Sequence, residues 1–377
     1  MAASGSGKKV LILGGMGFIG RNLVGYLVKN NLASFIRVAD KVLPSTAFLN
    51  AEHKAAIENE VVEYKQSNLT SEASIKRAFS DEAASGKFVA GDKFDYVINL
   101  AAETKFGQTP EVYNEKVLDL ATKVGTAAKA HGVTKFIQVS TAQVYDSGSK
   151  PSSEDGKLKP WTTQATYHLK AEEALKGLGL PLVICRPAVV YGPGDVAGIE
   201  PRVITGAVYK HLGEKMKFLW TKDLKIHTVH VRDVVKALWV LAEHAAGGTV
   251  YNLADKNDTD QGAINTILEE IYGIKTGFMG AAISQMAKLK LKDVCEGVND
   301  KHLKPWSDIC KEAGIVNTPL TPYLDVELLS NNSLSIDGSK IESVGGFKYD
   351  HPKMTTELIR ESMDYFISQG LFPQPKK

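Results

Sequence analysis

The chain has 377 residues, 44% of them hydrophobic and 23% charged, enough apolar content to bury a large core in one domain with an appended lobe. Lys plus Arg (45) nearly balances Asp plus Glu (43), which excludes the one-sided charge that draws a protein to nucleic acid or an anionic membrane. Cys185, Cys295 and Cys310 are too few and too scattered for a disulfide framework or a zinc cluster, and no run of about 18 apolar residues is present to span a bilayer.

The opening MAASGSGKK has neither the apolar core of a secretory signal nor the arginine-rich pattern of a mitochondrial presequence. A cytoplasmic location is the expectation. Short β-branched runs then follow at intervals: VLIL (10–13), FIRVAD (35–40), VVEYKQ (61–66), YVINLAA (96–102), FIQVS (136–140) and LVICRP (182–187). Between them lie segments such as RNLVGYLVKN and VLDLATKVGTAAKAHG, with apolar residues at helical spacing. Strand alternating with helix predicts a parallel sheet covered on both faces. After Pro187 comes a Gly/Pro-rich loop, YGPGDVAGIEP; VHVRDVVKALWVLAEH and TVYNLAD then return to strand and helix, and the remainder is irregular.

The first strand runs straight into GGMGFIG and then a helix. Gly14, Gly17 and Gly20 permit a tight turn whose backbone amides approach a pyrophosphate at the positive end of the helix dipole. Asp40 ends the second strand 20 residues beyond Gly20, where a carboxylate accepts from a ribose 2′-hydroxyl and repels a 2′-phosphate. NAD is therefore expected, with NADP disfavoured; Lys41 beside Asp40 is the one feature that would suit a phosphate. The fold expectation is a Rossmann-like doubly wound sheet over residues 8–190, rejoined by 225–255, with a smaller substrate lobe made of 191–224 and 256–377.

The Gly-x-x-Gly-x-x-Gly spacing resembles the extended, epimerase/dehydratase-like branch of the short-chain dehydrogenase/reductase superfamily. NLAAET (99–104), VSTAQVY (139–145), CRPAVVYGPGD (185–195) and VHVRDVV (229–235) resemble that branch in the same order. The resemblance implies that Phe18 and Ile19 flank the phosphate turn and that Leu100, Ala101 and Ala102 pass beneath the nicotinamide ribose. It places Asn68 and Leu69 against the adenine and Pro187 at the cofactor's far end, and it makes Thr141 the hydroxyl that holds the substrate oxygen. A small-molecule substrate is implied; a homodimer is implied only by analogy with relatives.

In that superfamily a tyrosine phenol exchanges a proton with the substrate, assisted by a lysine four residues later. Here Lys170 fits, followed by Glu172 and Glu173, but the position four before it is Thr166, and Tyr167 stands one place late. On a helix the pair still shares a face. Three readings stay open. Tyr167, Lys170 and Thr141 form the catalytic set of an NAD-dependent oxidoreductase acting on an alcohol or carbonyl. Alternatively, Thr166 occupies the site and His168, Glu103 or Lys105 moves the proton. Thirdly, the chain binds NAD(H) without turnover, like the dinucleotide-binding accessory subunit of respiratory complex I, which it resembles in fold only. A further alternative is a nucleotide-sugar epimerase or dehydratase. The run that usually carries a diphosphate-gripping arginine reads IHTVHVRD here, with Ile226 at the arginine's place. Arg202 or Arg232 would have to compensate, although each reads more simply as a surface charge.

Overall fold

The computed structural model describes residues 7–80, 86–146 and 148–374. Strands β1 (Lys9–Leu13), β2 (Phe35–Asp40), β3 (Val62–Gln66), β4 (Tyr96–Asn99), β5 (Lys135–Val139) and β6 (Leu182–Pro187) arise from the expected runs. Strands β7 (Val189–Tyr191), β8 (Met216–Phe218) and β9 (Thr228–His230) leave the main sheet, and β10 (Thr249–Leu253) returns to it. The sheet is parallel throughout, in the order β3-β2-β1-β4-β5-β6-β10. Of the segment expected to rejoin it, only β10 does so, because β9 pairs with β7, and β8 pairs with β11 (Thr276–Phe278).

The strand order reverses between β1 and β4. Chain leaving β1 therefore turns one way and chain leaving β4 the other, opening a crevice above their C-terminal ends. Alternate residues of each strand point to opposite faces. One face buries Val10, Ile12, Ile36, Val38 and Ile98 against α1 (Phe18–Lys29); α2 (Ala51–Ile57) flanks α1. The other face buries Leu11, Leu13, Val97 and Phe136 against α3 (Glu72–Ala78), α5 (Leu120–His131) and α6 (Thr163–Lys176). Helix α4 (Pro110–Tyr113) joins α5 through a π-turn at Asn114–Asp119. Both faces being covered is why the strands read as continuous apolar runs.

One exception is Arg37 in β2. It is fully buried among Phe35, Phe88 and Phe94, and its guanidinium donates to Glu63 (2.6 Å) and to the carbonyls of Ala78 and Ser80.

The lobe has its own core. Helix α7 (Glu200–Leu212) contributes Val203, Ile204 and Val208, and α9 (Gln261–Tyr272) contributes Ile264 and Leu268. They meet Trp306 of α11 (Leu291–Glu312) and Ile359 and Phe366 of α12 (Thr356–Ile367), while α10 (Ala281–Lys288) lies outside this core. Helix α8 (Val231–His244) packs beside α1 on the same face of the sheet. No helix among the described residues is long and apolar enough to cross a membrane.

Candidate active site

At the end of β1 the chain turns through Gly14 at φ +81°, and the Gly14 amide donates to Ala39 O at 2.8 Å. A Cβ at Gly14 would stand 2.8 Å from the Ala101 nitrogen, so only glycine lets the loop approach the strand after the switch point. Gly20 is equally constrained, since a Cβ there would lie 2.5 Å from both Gly14 O and Gly15 Cα. Gly17 begins α1 without any side-chain cap, so the amides of the first turn, those of Phe18 and Ile19 included, have no side chain to satisfy them. Backbone donors converging at a helix start suit a pyrophosphate.

Asp40 stands at the rim of this cradle, 8% exposed. Its two oxygens accept from Met16 N and Val42 N, each at 2.9 Å. A carboxylate has about four acceptor sites, so each oxygen keeps one for a ribose hydroxyl. Leu100 N donates to Leu13 O (2.9 Å), which brings Ala101 and Ala102 beside Gly14. Asn68 is exposed with its carbonyl oxygen accepting from Thr70, while Leu69 and Pro187 are buried at the tips of their segments. Ser67, which the sequence reading missed, and Ser140, which reads from sequence as a strand-end residue, stand at the C-terminal ends of their strands. Ser67 follows β3 and Ser140 follows β5, and both are buried with no hydrogen-bond partner. The signal available for them was position alone: each ends a strand and adjoins an expected site residue, Asn68 or Thr141.

Helix α6 carries the displaced pair. Thr162 caps it, its hydroxyl oxygen accepting from Ala165 N (3.0 Å), and Glu327 Oε1 accepts from both the amide and hydroxyl of Thr163 (2.9 and 2.6 Å). Gln164, His168 and Glu172 form a buried stripe at four-residue spacing, whereas Thr163, Thr166 and Tyr167 are half-buried and Lys170 is exposed. The Lys170 ammonium lies 4.4 Å from the centroid of the Tyr167 ring, and the ring of Tyr113 lies at 6.0 Å from it, inclined by 26°. Thr166 donates its hydroxyl to Thr162 O (3.1 Å), within its own helix. Thr141 heads the short turn Ala142–Val144. Its oxygen accepts from Gln143 N (3.2 Å), and the neighbouring Gln143 Oε1 accepts from Thr162 Oγ1 (3.0 Å), which ties this turn to the start of α6.

Several alternatives are poorly placed for proton transfer. His168 is buried on the face opposite Thr166, and burial lowers its pKa to about 4. Glu103 accepts from Lys116 Nζ (3.4 Å) and from Lys105 N (3.2 Å), and its carbonyl accepts from Gln164 (2.8 Å). Glu172 is not a surface acid trailing the lysine. It is fully buried and accepts twice from Arg186 (3.0 and 2.5 Å), which also donates to the Tyr145 hydroxyl (2.8 Å).

Across the crevice, Ile226 is half-buried in the lobe core with Phe218. Arg232 is spoken for by an exposed ion pair with Glu361. Arg202, however, is no ordinary surface charge: it is half-buried in the first turn of α7 with its guanidinium 5.5 Å from the centroid of Phe218. Among the described residues it has no hydrogen bond or ion pair through its side chain, and burial lowers its pKa from 12.5 to about 10. The loop leading to α7 touches the cofactor cradle, because a Cβ at Gly194 would stand 3.6 Å from the Phe18 ring. The Phe218 and Phe278 rings lie 6.3 Å apart, while Met286 is 74% exposed.

Residues 10–254 match the model of a family described as the NAD dependent epimerase/dehydratase family. The chain belongs to that family. Its cofactor is NAD, as the cradle and Asp40 suggest. One similar protein is a dTDP-D-glucose 4,6-dehydratase of Dictyostelium discoideum, 29% identical across 65% of this chain but only 58% of the relative's own length. Another is an uncharacterized UDP-glucose epimerase of Bacillus subtilis, 23% identical over 84% of this chain and 95% of the relative. Among solved structures, a UDP-glucuronic acid 4-epimerase from Bacillus cereus superposes with a TM-score of 0.69 at 18% identity, covering 96% of this chain and 99% of its own. A UDP-N-acetylglucosamine 4-epimerase from Methanobrevibacter ruminantium gives 0.68 at 21%, again covering 96% and 99%. At these identities the structural likeness establishes the fold.

Proposed function

We propose that the protein is an NAD-dependent enzyme acting reversibly on a carbinol carbon of a nucleoside-diphosphate sugar. The observation that carries this reading is the unpaired Arg202 guanidinium in the first turn of α7, the helix whose leading loop meets the glycine cradle at Phe18, a cation for which the substrate's diphosphate would supply the missing anion. The relatives named for dTDP-glucose and UDP-glucose chemistry support the same substrate class. When bound, NAD supplies a hydride acceptor at the nicotinamide.

The chain's own residues manage the proton and the orientation. Tyr167 takes the substrate hydroxyl proton and returns it, Thr141 donates its hydroxyl hydrogen to the same substrate oxygen, and Lys170 supplies the positive charge. A neutral phenol is a poor proton acceptor, so the exchange calls for a positive charge beside it. The Lys170 ammonium, 4.4 Å from the ring centroid, is the cation nearest to hand. Gly14, Gly17 and Gly20 with the Phe18 and Ile19 amides would hold the pyrophosphate, and Asp40 the adenosine ribose. Asn68 would meet the adenine, and Ala101 and Ala102 would underlie the second ribose.

One observation favours the non-catalytic reading: Thr166, four before Lys170, spends its hydroxyl on its own helix. The two readings separate on one experiment. Full-length protein with NAD is incubated with UDP-glucose and dTDP-glucose, the sugar is followed by NMR, and Tyr167→Phe is run in parallel. Conversion by the wild type and its loss in the variant is the expected result. Conversion that survives Tyr167→Phe removes the tyrosine from the mechanism, and NAD binding without conversion of either sugar favours the non-catalytic reading.

A further inference from the structure

The tyrosine that stands one residue late on α6 faces a second irregularity on the neighbouring helix. Between α4 and α5, residues Asn114–Asp119 form a π-turn, in which each turn holds one residue more than an α-helix and the side chains before and after it are rotated relative to one another. The π-turn packs directly against α6. Its ends are tied together by Asn114 Nδ2 donating to Asp119 Oδ2 at 3.0 Å.

The residue presented at the head of this π-turn is Tyr113. It is fully buried, its ring stacks on Tyr167 at 6.0 Å and 26°, and its hydroxyl donates to the Lys105 carbonyl at 2.8 Å. Lys105 belongs to the loop that leaves β4 past Ala101 and Ala102. In that loop Gly107 lies close against Asp325, since a Cβ there would stand 2.5 Å from Asp325 Oδ2. Tyr113 thus joins three parts of the crevice: the loop after β4, the π-turn and the displaced phenol on α6.

A phenol placed one residue late on a helix is rotated by about 100° and raised by about 1.5 Å from the usual position. A half-buried aromatic side chain with ring contact on one face only keeps access to other rotamers. Here the Tyr167 ring has two such contacts, the Lys170 ammonium at 4.4 Å from its centroid and the Tyr113 ring at 6.0 Å. Ring on ring and cation on ring are each favourable geometries, together enough to select one rotamer over a competitor by roughly tenfold.

We propose that Tyr113 is a positioning residue that holds Tyr167 in the one orientation where its hydroxyl serves the crevice, offsetting the one-residue displacement on α6. The inference rests on the catalytic reading given above. It assigns no chemistry to Tyr113 itself, whose hydroxyl is committed to Lys105.

The test uses the full-length chain with NAD and a single 3-fluorotyrosine at position 167, followed by fluorine NMR in wild type, Tyr113→Phe and Tyr113→Leu. The wild type and Tyr113→Phe, which keep a ring against position 167, are expected to show one sharp resonance displaced by the neighbouring ring current. Tyr113→Leu is expected to move that resonance toward the free amino acid and to broaden or split it. Turnover of UDP-glucose should fall on the order of 10–100-fold in Tyr113→Leu, through kcat, with NAD affinity within about twofold of wild type because the cradle is untouched. Tyr113→Phe should rescue most of the rate.

An unmoved, sharp resonance in Tyr113→Leu overturns the positioning role. If Tyr113→Leu does not fold, Tyr113→Met, whose unbranched flexible side chain fills irregular gaps without a ring, is read in the same way. Failure of the catalytic reading shows up separately, as undiminished turnover in Tyr167→Phe, and leaves the resonance test standing on its own.

Discussion

Replacing Arg202 by methionine should separate binding from stability, moving the two in opposite directions. The guanidinium is half-buried over Phe218 without a partner, and burial alone lowers its pKa from 12.5 to about 10. At 1.36 kcal/mol per tenfold in acidity this corresponds to about 3 kcal/mol of unrelieved desolvation, and the remaining exposure of the side chain reduces it to about 1–2 kcal/mol. A methionine of similar length covers the Phe218 ring without that charge. The variant is therefore expected to melt about 1–3 °C higher, since at about 2.1 cal/mol/K per residue 1 kcal/mol shifts the Tm of a chain of 377 residues by about 1.3 °C. Binding of UDP should weaken, because a charge-assisted contact to phosphate is worth about 1.5–3 kcal/mol, a loss of roughly 10- to 150-fold in Kd. Differential scanning fluorimetry and titration calorimetry with UDP read the two effects independently. A variant that loses stability while keeping its UDP affinity refutes the argument, since Arg202 would then be a structural cation with partners of its own. Arg202→Lys should keep the charge and lose the planar fork, giving intermediate affinity.

Gly20→Ala should abolish NAD binding in calorimetry and destabilise the fold: the added methyl would sit 2.5 Å from two backbone atoms of the phosphate turn, and the resulting overpacking of about 1–3 kcal/mol exceeds the gain of at most about 1 kcal/mol in helix propensity. A second expectation concerns Asp255, a buried carboxyl whose pKa burial raises to about 6, against the opposing hydrogen bonds from Thr228 and Asn257. A carboxyl with a raised folded-state pKa holds its proton more tightly folded than unfolded, so its contribution is present below the unfolded value near 4 and is lost as pH rises through about 6. Urea midpoints measured between pH 4 and 7 should therefore fall less steeply in Asp255→Asn than in the wild type, and identical slopes would sink the assignment.

Much of the crevice was legible because its determinants are local. Gly14, Gly17 and Gly20 occur where a strand run gives way to a helical one, and Asp40 closes the next strand; turn chemistry and strand periodicity suffice to place them. The return of β10 was readable for the same reason, whereas VHV looked equally strand-like and pairs outside the sheet. What separates them is which edge was still open, a property of the assembled sheet. The π-turn at Asn114–Asp119 left no trace in the helical pattern of VLDLATKVGTAAKAHG, since one extra residue in a turn hardly disturbs the spacing of apolar positions.

The chain's sequence alone determined the parallel α/β architecture, the nucleotide cradle and the preference for NAD, since each depends on neighbouring residues and on the backbone freedom of glycine. Tertiary structure alone decided the fate of the charges and rings. Arg202 read as a surface charge and Glu172 only as an acid following Lys170, yet Arg202 stands unpaired over Phe218 and Glu172 is buried against Arg186. Likewise only packing brought Tyr113, Tyr167 and Lys170 into one stack. Burial, desolvation and pairing depend on which distant segments meet, and a linear pattern of residue types carries that information only after the chain has closed on itself.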